Sequence, residues 1–235
     1  MPLTDKIAVI TGATGQLGPV IARAFASNGA KLALSATSQD DLTELTTKLG
    51  FPDSRVFTDA RDLMDDASAQ ALADAVIARY GRADILIHLV GGYQSSGMIE
   101  LEIETWEYML NLNLRTAMNA LRAFLPYLTA NGWGRIITLS STVAERPTAH
   151  SAAYSAAKAG LEALTLAVAQ EVKDKGTTAN VVVVKSLETT EERARAANPR
   201  PSSAVTPEEV ASLLIFLCSD EAGAINGALL PVYGR

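Results

Sequence analysis

Apolar and polar positions along the chain alternate between two rhythms. Short, nearly uninterrupted apolar blocks fall at Ile7–Ile10, Lys31–Leu34, Arg55–Phe57, Ile85–Val90, Arg135–Leu139, Asn180–Val184 and Ala228–Val232. Such blocks predict strands covered on both faces, because a strand with one wet face would alternate apolar and polar residues. Between them, apolar residues return with helical period near 17–28, 40–49, 67–80, 104–130, 151–174 and 207–219. The punctuation agrees with these limits. Asp40-Asp41 puts acids at the positive end of a helix, and Thr206-Pro207-Glu208-Glu209 supplies an N-cap, a proline and acids in order. Gly29, Gly81 and Gly176 stand where helices should stop. Seven strands and six helices in alternation predict an α/β chain with one doubly wound, seven-stranded parallel sheet flanked by helices, a single domain over residues 1–235. Ligands of such sheets bind at the carboxyl ends of the strands.

Composition narrows the picture. Hydrophobic residues make up 48% and mean hydropathy is +0.14, enough for a sizeable core, while no apolar run reaches the length of a bilayer span. The opening MPLTDKIAVITG carries an acid and no long apolar stretch, so no secretory leader is expected. The single cysteine, Cys218, excludes an intrachain disulfide and a thiolate zinc cluster, and it reads as part of an apolar helix face with Leu213–Leu217. No metal site is expected, and the cytoplasm is the expected compartment. Net charge is −6 with a pI near 5.0, and no cluster of Lys and Arg appears, which argues against nucleic acid as a partner. A membrane partner is not expected either.

The first candidate chemistry is Thr11-Gly-Ala-Thr-Gly-Gln-Leu-Gly18, between a strand and a helix. Gly12 can make the sharp turn, while Gly15 and Gly18 permit close approach of a pyrophosphate and of helix to strand. Thr14, Gln16 and Leu17 lie on the same loop, and the helix behind it points its positive end at the phosphates. This is a Rossmann-like arrangement. An acid about 20 residues on would hold the ribose hydroxyls of NAD. The second strand instead ends Leu34-Ser-Ala-Thr-Ser38, where Thr37 and Ser38 can hydrogen-bond a 2′-phosphate, so NADP is favoured over NAD. Asp59 and Ala60, at the end of the third strand, are placed to meet the adenine.

The second candidate is Tyr154-Ser-Ala-Ala-Lys158, which puts a phenol and an ammonium one helical turn apart. A nearby cation favours phenolate and lowers its pKa, which suits proton exchange with a carbonyl or alcohol oxygen. Gly134–Ser141 reads as a buried strand ending in hydroxyls, and the chain from 142 to 151 is long enough to bring Ser141 beside the phenol.

With these segments in hand, the chain resembles the short-chain dehydrogenase/reductase family nearly end to end. The matching segments are Thr11–Gly18, Asp59, Trp106–Leu114, Gly134–Ser141, Tyr154–Lys158, Asn180 to Thr189 and Pro207–Ala211. The resemblance implies an NAD(P)-dependent oxidoreductase, a carbonyl reductase or alcohol dehydrogenase acting on a small carbonyl or alcohol. Tyr154 would be the acid/base and Lys158 would lower its pKa and bind the nicotinamide ribose. Ser141 would steady the substrate oxygen and Asn113 would hold a relay water. Gly91, Leu187 and Thr189 would line the cofactor, with a short substrate lid around 187–205. Dimers or tetramers would form through the long helices.

The chain also departs from the family's pattern. Gln16 stands where the single-domain branch has its second glycine. His88-Leu-Val-Gly91 replaces Asn-Asn-Ala-Gly, and His88 reads as a satisfied core residue. Val184-Lys185 replaces the Pro-Gly that follows the sixth strand. These changes keep a second hypothesis open, a non-catalytic dinucleotide-binding homologue acting as a sensor or scaffold. An epimerase-like reading, raised by the glycine spacing, is opposed by the chain's length.

Overall fold

A computed structural model describes residues 2–187 and 204–234. Seven parallel strands form one sheet in the order β3-β2-β1-β4-β5-β6-β7. They are β1 Ile7–Thr11, β2 Lys31–Ala36, β3 Val56–Ala60, β4 Ile85–His88, β5 Gly134–Ser141, β6 Thr177–Val184 and β7 Leu229–Val232. The helices are α1 Gly18–Ser27, α2 Gln39–Leu49, α3 Asp66–Tyr80, α4 Ile103–Leu110, α5 Thr116–Ala130, α6 Ala152–Val172 and α7 Pro207–Leu217. The expected single doubly wound α/β domain is what the chain forms.

Two apolar layers hold the sheet. One face of the sheet packs against α1, α2 and α7 through Ile10, Leu34, Ile21, Phe25, Leu42 and Leu214. The opposite face packs against α3, α5 and α6 through Val9, Leu86, Leu72, Phe124 and Val168. Each fully buried Leu or Phe contributes about 1.5–3 kcal/mol by leaving water, which fixes the strands' register. Cys218 lies in the first layer, buried, as expected, and burial pushes its thiol pKa up.

Helix boundaries follow their caps. Ser38 accepts from the Asp41 N–H, Asp65 from the Ser68 N–H, and Thr206 and Glu209 form a reciprocal capping box. Two boundaries correct the sequence reading in ways that matter for the site. The strand expected over Ile85–Val90 stops at His88, because the chain beyond passes over Gly12. A β-carbon on Gly12 would lie 2.8 Å from the Val90 nitrogen, and Gly12 itself sits at φ +69°. The helix expected over 104–130 is interrupted by a π-helical turn, Asn111–Arg115. Turns of this kind re-aim a side chain and recur at functional sites. The sheet order reverses between β1 and β4, so the crevice for a ligand opens at the carboxyl ends of these two strands.

Candidate active site

The glycine loop closes this crevice from below. Gly15 and Gly18 donate to the carbonyls of Gly12 and Gly15, winding the loop into α1, and a β-carbon on Gly18 would collide with Ala13 at 1.9 Å. Gly18 therefore serves helix–loop packing. At Leu17 no side chain caps α1, and Pro19 in its first turn has no N–H to satisfy. Gly15 and Gln16 are exposed, and Gln16 and Leu17 border a cleft of about 330 Å³.

That cleft is walled by Gly91, Gly92 and Tyr93 after β4, Ser141 at the end of β5, Tyr154 and Lys158 on α6, and Val184–Leu187 after β6. A neighbouring cleft of about 210 Å³ continues it along Thr14, Gly15, Thr37, Arg61 and Gly91. The two hollows meet at Gly91 and together follow the path a dinucleotide needs. Leu187, expected at the cofactor, lines the cleft with Gly92 and Tyr93. Thr189 and most of the expected lid lie outside the described residues, although their flanks are joined by a bridge between Leu187 and Val205.

Ser141, Tyr154 and Lys158, three of the four side chains expected to act in catalysis, converge. The Ser141 hydroxyl and the Tyr154 phenol line the same cleft, near enough for the hydroxyl to act on the phenol's pKa. Lys158, buried, donates from Nζ to the Leu139 carbonyl at 2.9 Å and lies 5.7 Å from the Tyr154 ring centre. Tyr93 packs edge-on against Tyr154 at 5.2 Å. Asn113 projects from the π-helical turn; its amide donates to Gly92 O at 2.9 Å and Met109 O at 3.1 Å and accepts from Gly92 N at 3.1 Å. Gly91 lets these elements close. A β-carbon there would stand 2.8 Å from Asn113 Oδ1 and 3.2 Å from Lys158 Nζ.

The electrostatics correct one expectation. The phenol of Tyr154 is raised above its ordinary pKa, chiefly by burial; the Ser141 hydroxyl lowers it and Tyr93 raises it. Lys158 is not among the causes of that shift, and burial brings its own amine down to about 8, opposed by the Glu162 carboxylate. His88, fully enclosed, is held neutral: burial, then the Lys158 charge, bring it down to about 3. Thr116 donates its hydroxyl to Leu112 O, so its oxygen accepts from His88 Nε2 at 3.3 Å, while Nδ1 accepts from Thr11 at 2.9 Å. His88 is thus a satisfied core residue, as the sequence indicated.

At the end expected to meet the adenosine, Thr37 lines the cleft, whereas the Ser38 hydroxyl is engaged as the cap of α2. Asp59 and Ala60 lie within β3, paired with Ser35 and Ala36, and Asp59 accepts from Arg61 Nε through both oxygens at 3.1 Å. Arg61 is the residue sequence reading missed, since nothing in the primary structure ties it to the end of β2.

A doubly wound fold with a cap-free glycine loop beside a tyrosine, a lysine and a serine defines an oxidoreductase of the nucleotide-binding α/β class. Comparison with known proteins makes that specific. Residues 6–199 match the family model described as short chain dehydrogenase, and the chain belongs to this family. It is 31% identical over 242 aligned positions to the 3-oxoacyl-[acyl-carrier-protein] reductase FabG of Escherichia coli, covering 100% of this chain and 98% of that protein. The acetoacetyl-CoA reductase of Allochromatium vinosum is also 31% identical, with 97% of each chain covered. Among solved structures, an actinorhodin polyketide ketoreductase variant with NADPH superposes with a TM-score of 0.88 at 26% identity, covering 98% of this chain and 96% of that one. A Serratia marcescens short-chain dehydrogenase/reductase mutant gives 0.89 at 27%, covering 100% and 98%.

Proposed function

We propose that the protein is a carbonyl reductase that uses NADPH, with Tyr154 as proton donor, and that a 3-oxoacyl thioester is its best-supported substrate class. The observation that carries this reading is the convergence of Ser141, Tyr154 and Lys158 on one cleft. Gly12, Thr14, Gly15, Gln16, Leu17, Gly91 and Leu187 would hold the dinucleotide, since they line the two adjoining hollows, whose combined run suits an extended group. When bound, NADPH supplies a hydride to the carbonyl carbon.

The chain's own residues handle the proton. Ser141 and Tyr154 present two hydroxyls to the substrate oxygen. A phenol held above its ordinary pKa keeps its proton at neutral pH, which suits donation to the oxygen as the carbon is reduced to an alcohol. Lys158, beside Tyr154 and Gly91, balances the negative charge left on the phenol. Asn113 fixes the Gly91–Gly92 backbone against which the nicotinamide end would rest.

Preference for the 2′-phosphate is supported by Thr37 and by Arg61, whose guanidinium lines the same hollow. Asp59 holds it by Nε and leaves its terminal amino groups as donors. The substrate class draws on the relatives named above, two of which reduce 3-oxoacyl-carrier-protein or acetoacetyl-CoA by name. Lys185, exposed on the rim, offers a cation to the phosphates such carriers bear. Two apolar surface patches favour a homotetramer built from two kinds of contact: Ile99, Ile103 and Tyr108 around α4, and Phe216, Leu229 and Tyr233 around α7 and β7.

The test is Tyr154→Phe with acetoacetyl-CoA and NADPH, following nicotinamide absorbance. Turnover should fall by about 10²–10⁴-fold with cofactor affinity retained. An unchanged rate removes the assignment. Tight NADPH binding by the unmodified protein, with no turnover on a panel of carbonyls, would select the sensor or scaffold reading instead.

A further inference from the structure

The carboxyl edge of β5 is fastened to α6 by three successive contacts. Leu139, Ser140 and Ser141 are the last three residues of β5, and Tyr154, Lys158 and Glu162 follow one another at four-residue intervals along α6. Ser141 meets the Tyr154 phenol, and the Leu139 carbonyl accepts from Lys158 Nζ at 2.9 Å. The third contact is the Ser140 hydroxyl donating to Glu162 Oε1 at 2.6 Å. Four-residue spacing keeps all three side chains of α6 on one stripe of the helix. The first two contacts belong to the chemistry proposed above, and the third has no part in it.

We propose that Glu162 is a positioning residue: a carboxylate pinned by Ser140 one turn beyond Lys158, which holds the amine in its cationic form and so sets the pH range over which Lys158 and Tyr154 act together. The inference rests on the reductase reading, because that reading makes the charge of Lys158 matter. Lys158 is 5% exposed, so its cation is poorly solvated and depends on what surrounds it. His88 approaches from β4 and stays neutral, and Asn113 from the π-helical turn is uncharged. Tyr154 keeps its proton, with Tyr93 packed against it. Lys185, beyond β6, lines the same cleft and carries a like charge. Glu162 supplies the opposing negative charge, and the amine's descent to about 8 is the balance of burial against that carboxylate. Removing the anion leaves burial unopposed, so the proton should leave Lys158 at lower pH.

The experiment uses the full chain and Glu162→Gln, which keeps the shape and an oxygen for Ser140 to donate to. Lys158 is followed by ¹³C NMR of lysine-labelled protein, its signal assigned by absence in Lys158→Met. The pH profile of kcat for acetoacetyl-CoA reduction is measured in parallel. The expected result is a Lys158 midpoint lower by about one pH unit, with the alkaline limb of kcat displaced equally and KM near neutrality unchanged. Ser140→Ala, which releases the carboxylate without removing it, should give a smaller shift in the same direction and serves if Glu162→Gln does not fold. A Lys158 midpoint that coincides in Glu162→Gln and the unmodified protein overturns the role of Glu162, and it does so whether or not the protein reduces a carbonyl. A displaced midpoint without any turnover in the unmodified protein supports the electrostatic tie while the reductase reading falls.

Discussion

Acid should loosen this protein through His88, and the size of the effect can be worked out. In the unfolded chain an imidazole titrates near 6.5; in the folded chain burial and the Lys158 charge hold His88 neutral to about 3. A folded pKa below the unfolded one means that the unfolded state binds the proton first. The stabilisation is therefore complete above 6.5 and is lost progressively as pH falls from there towards 3. At about pH 5.5 the unfolded imidazole is roughly nine-tenths protonated and the folded one hardly at all, which removes about 1.4 kcal/mol relative to about pH 7.5. His88→Asn abolishes this linkage. Its own baseline will be lower, because it breaks the bonds to Thr11 and Thr116, so the quantity to compare is the change with pH. Urea unfolding of both proteins at the two pH values, read by circular dichroism, should show the acid-induced loss in the unmodified protein exceeding that of His88→Asn by about 1.4 kcal/mol. Equal losses would mean that His88 is protonated in the native state and that its enclosure has been misread.

Two further outcomes follow from contacts at the cleft. Gly91→Ala forces a β-carbon against the anchored Asn113 amide and the Lys158 amine, so stability should fall by about 1–3 kcal/mol in urea titrations and turnover by about tenfold or more. A variant as stable and active as the parent would show that the Gly91 approach is not constrained. Arg61→Ala should weaken NADPH binding by about tenfold while leaving NADH nearly unchanged, measured by fluorescence titration with both cofactors. An equal effect on the two would move Arg61 from the 2′-phosphate to the adenine they share.

The fold was legible because each strand of a sheet covered on both faces must be apolar, and blocks such as Ile7–Ile10 and Asn180–Val184 have no other easy home. Caps at Thr206 and stops at Gly81 and Gly176 are local chemistry and read directly. What stayed hidden was tertiary. The end of β4 depends on Gly12 passing beneath it, and the π-helical turn at Asn111–Arg115 leaves no mark in helix propensity. In the site, the spacing of Tyr154 and Lys158 and the hydroxyl-ended strand before them identified the group that converges. The direction of the Tyr154 pKa could not be read the same way, since the burial that raises it exists only once the whole cleft is built. Arg61 and Glu162 escaped notice for a related reason: Arg61 shares a hollow with Thr37 and Glu162 accepts from Ser140, neighbours that sequence distance conceals.

The ladder between β5 and α6 has a consequence for how such an enzyme can diversify. The proton handling proposed above falls to two elements that are held together at three levels and embedded in the core. The walls that would feel a substrate come from elsewhere, from chain that has already left the sheet after His88 and after Val184. Mutation can therefore rewrite selectivity in those departing segments while the reactive stripe keeps its spacing. New chemistry would demand change in the ladder itself, where a single altered rung disturbs the other two.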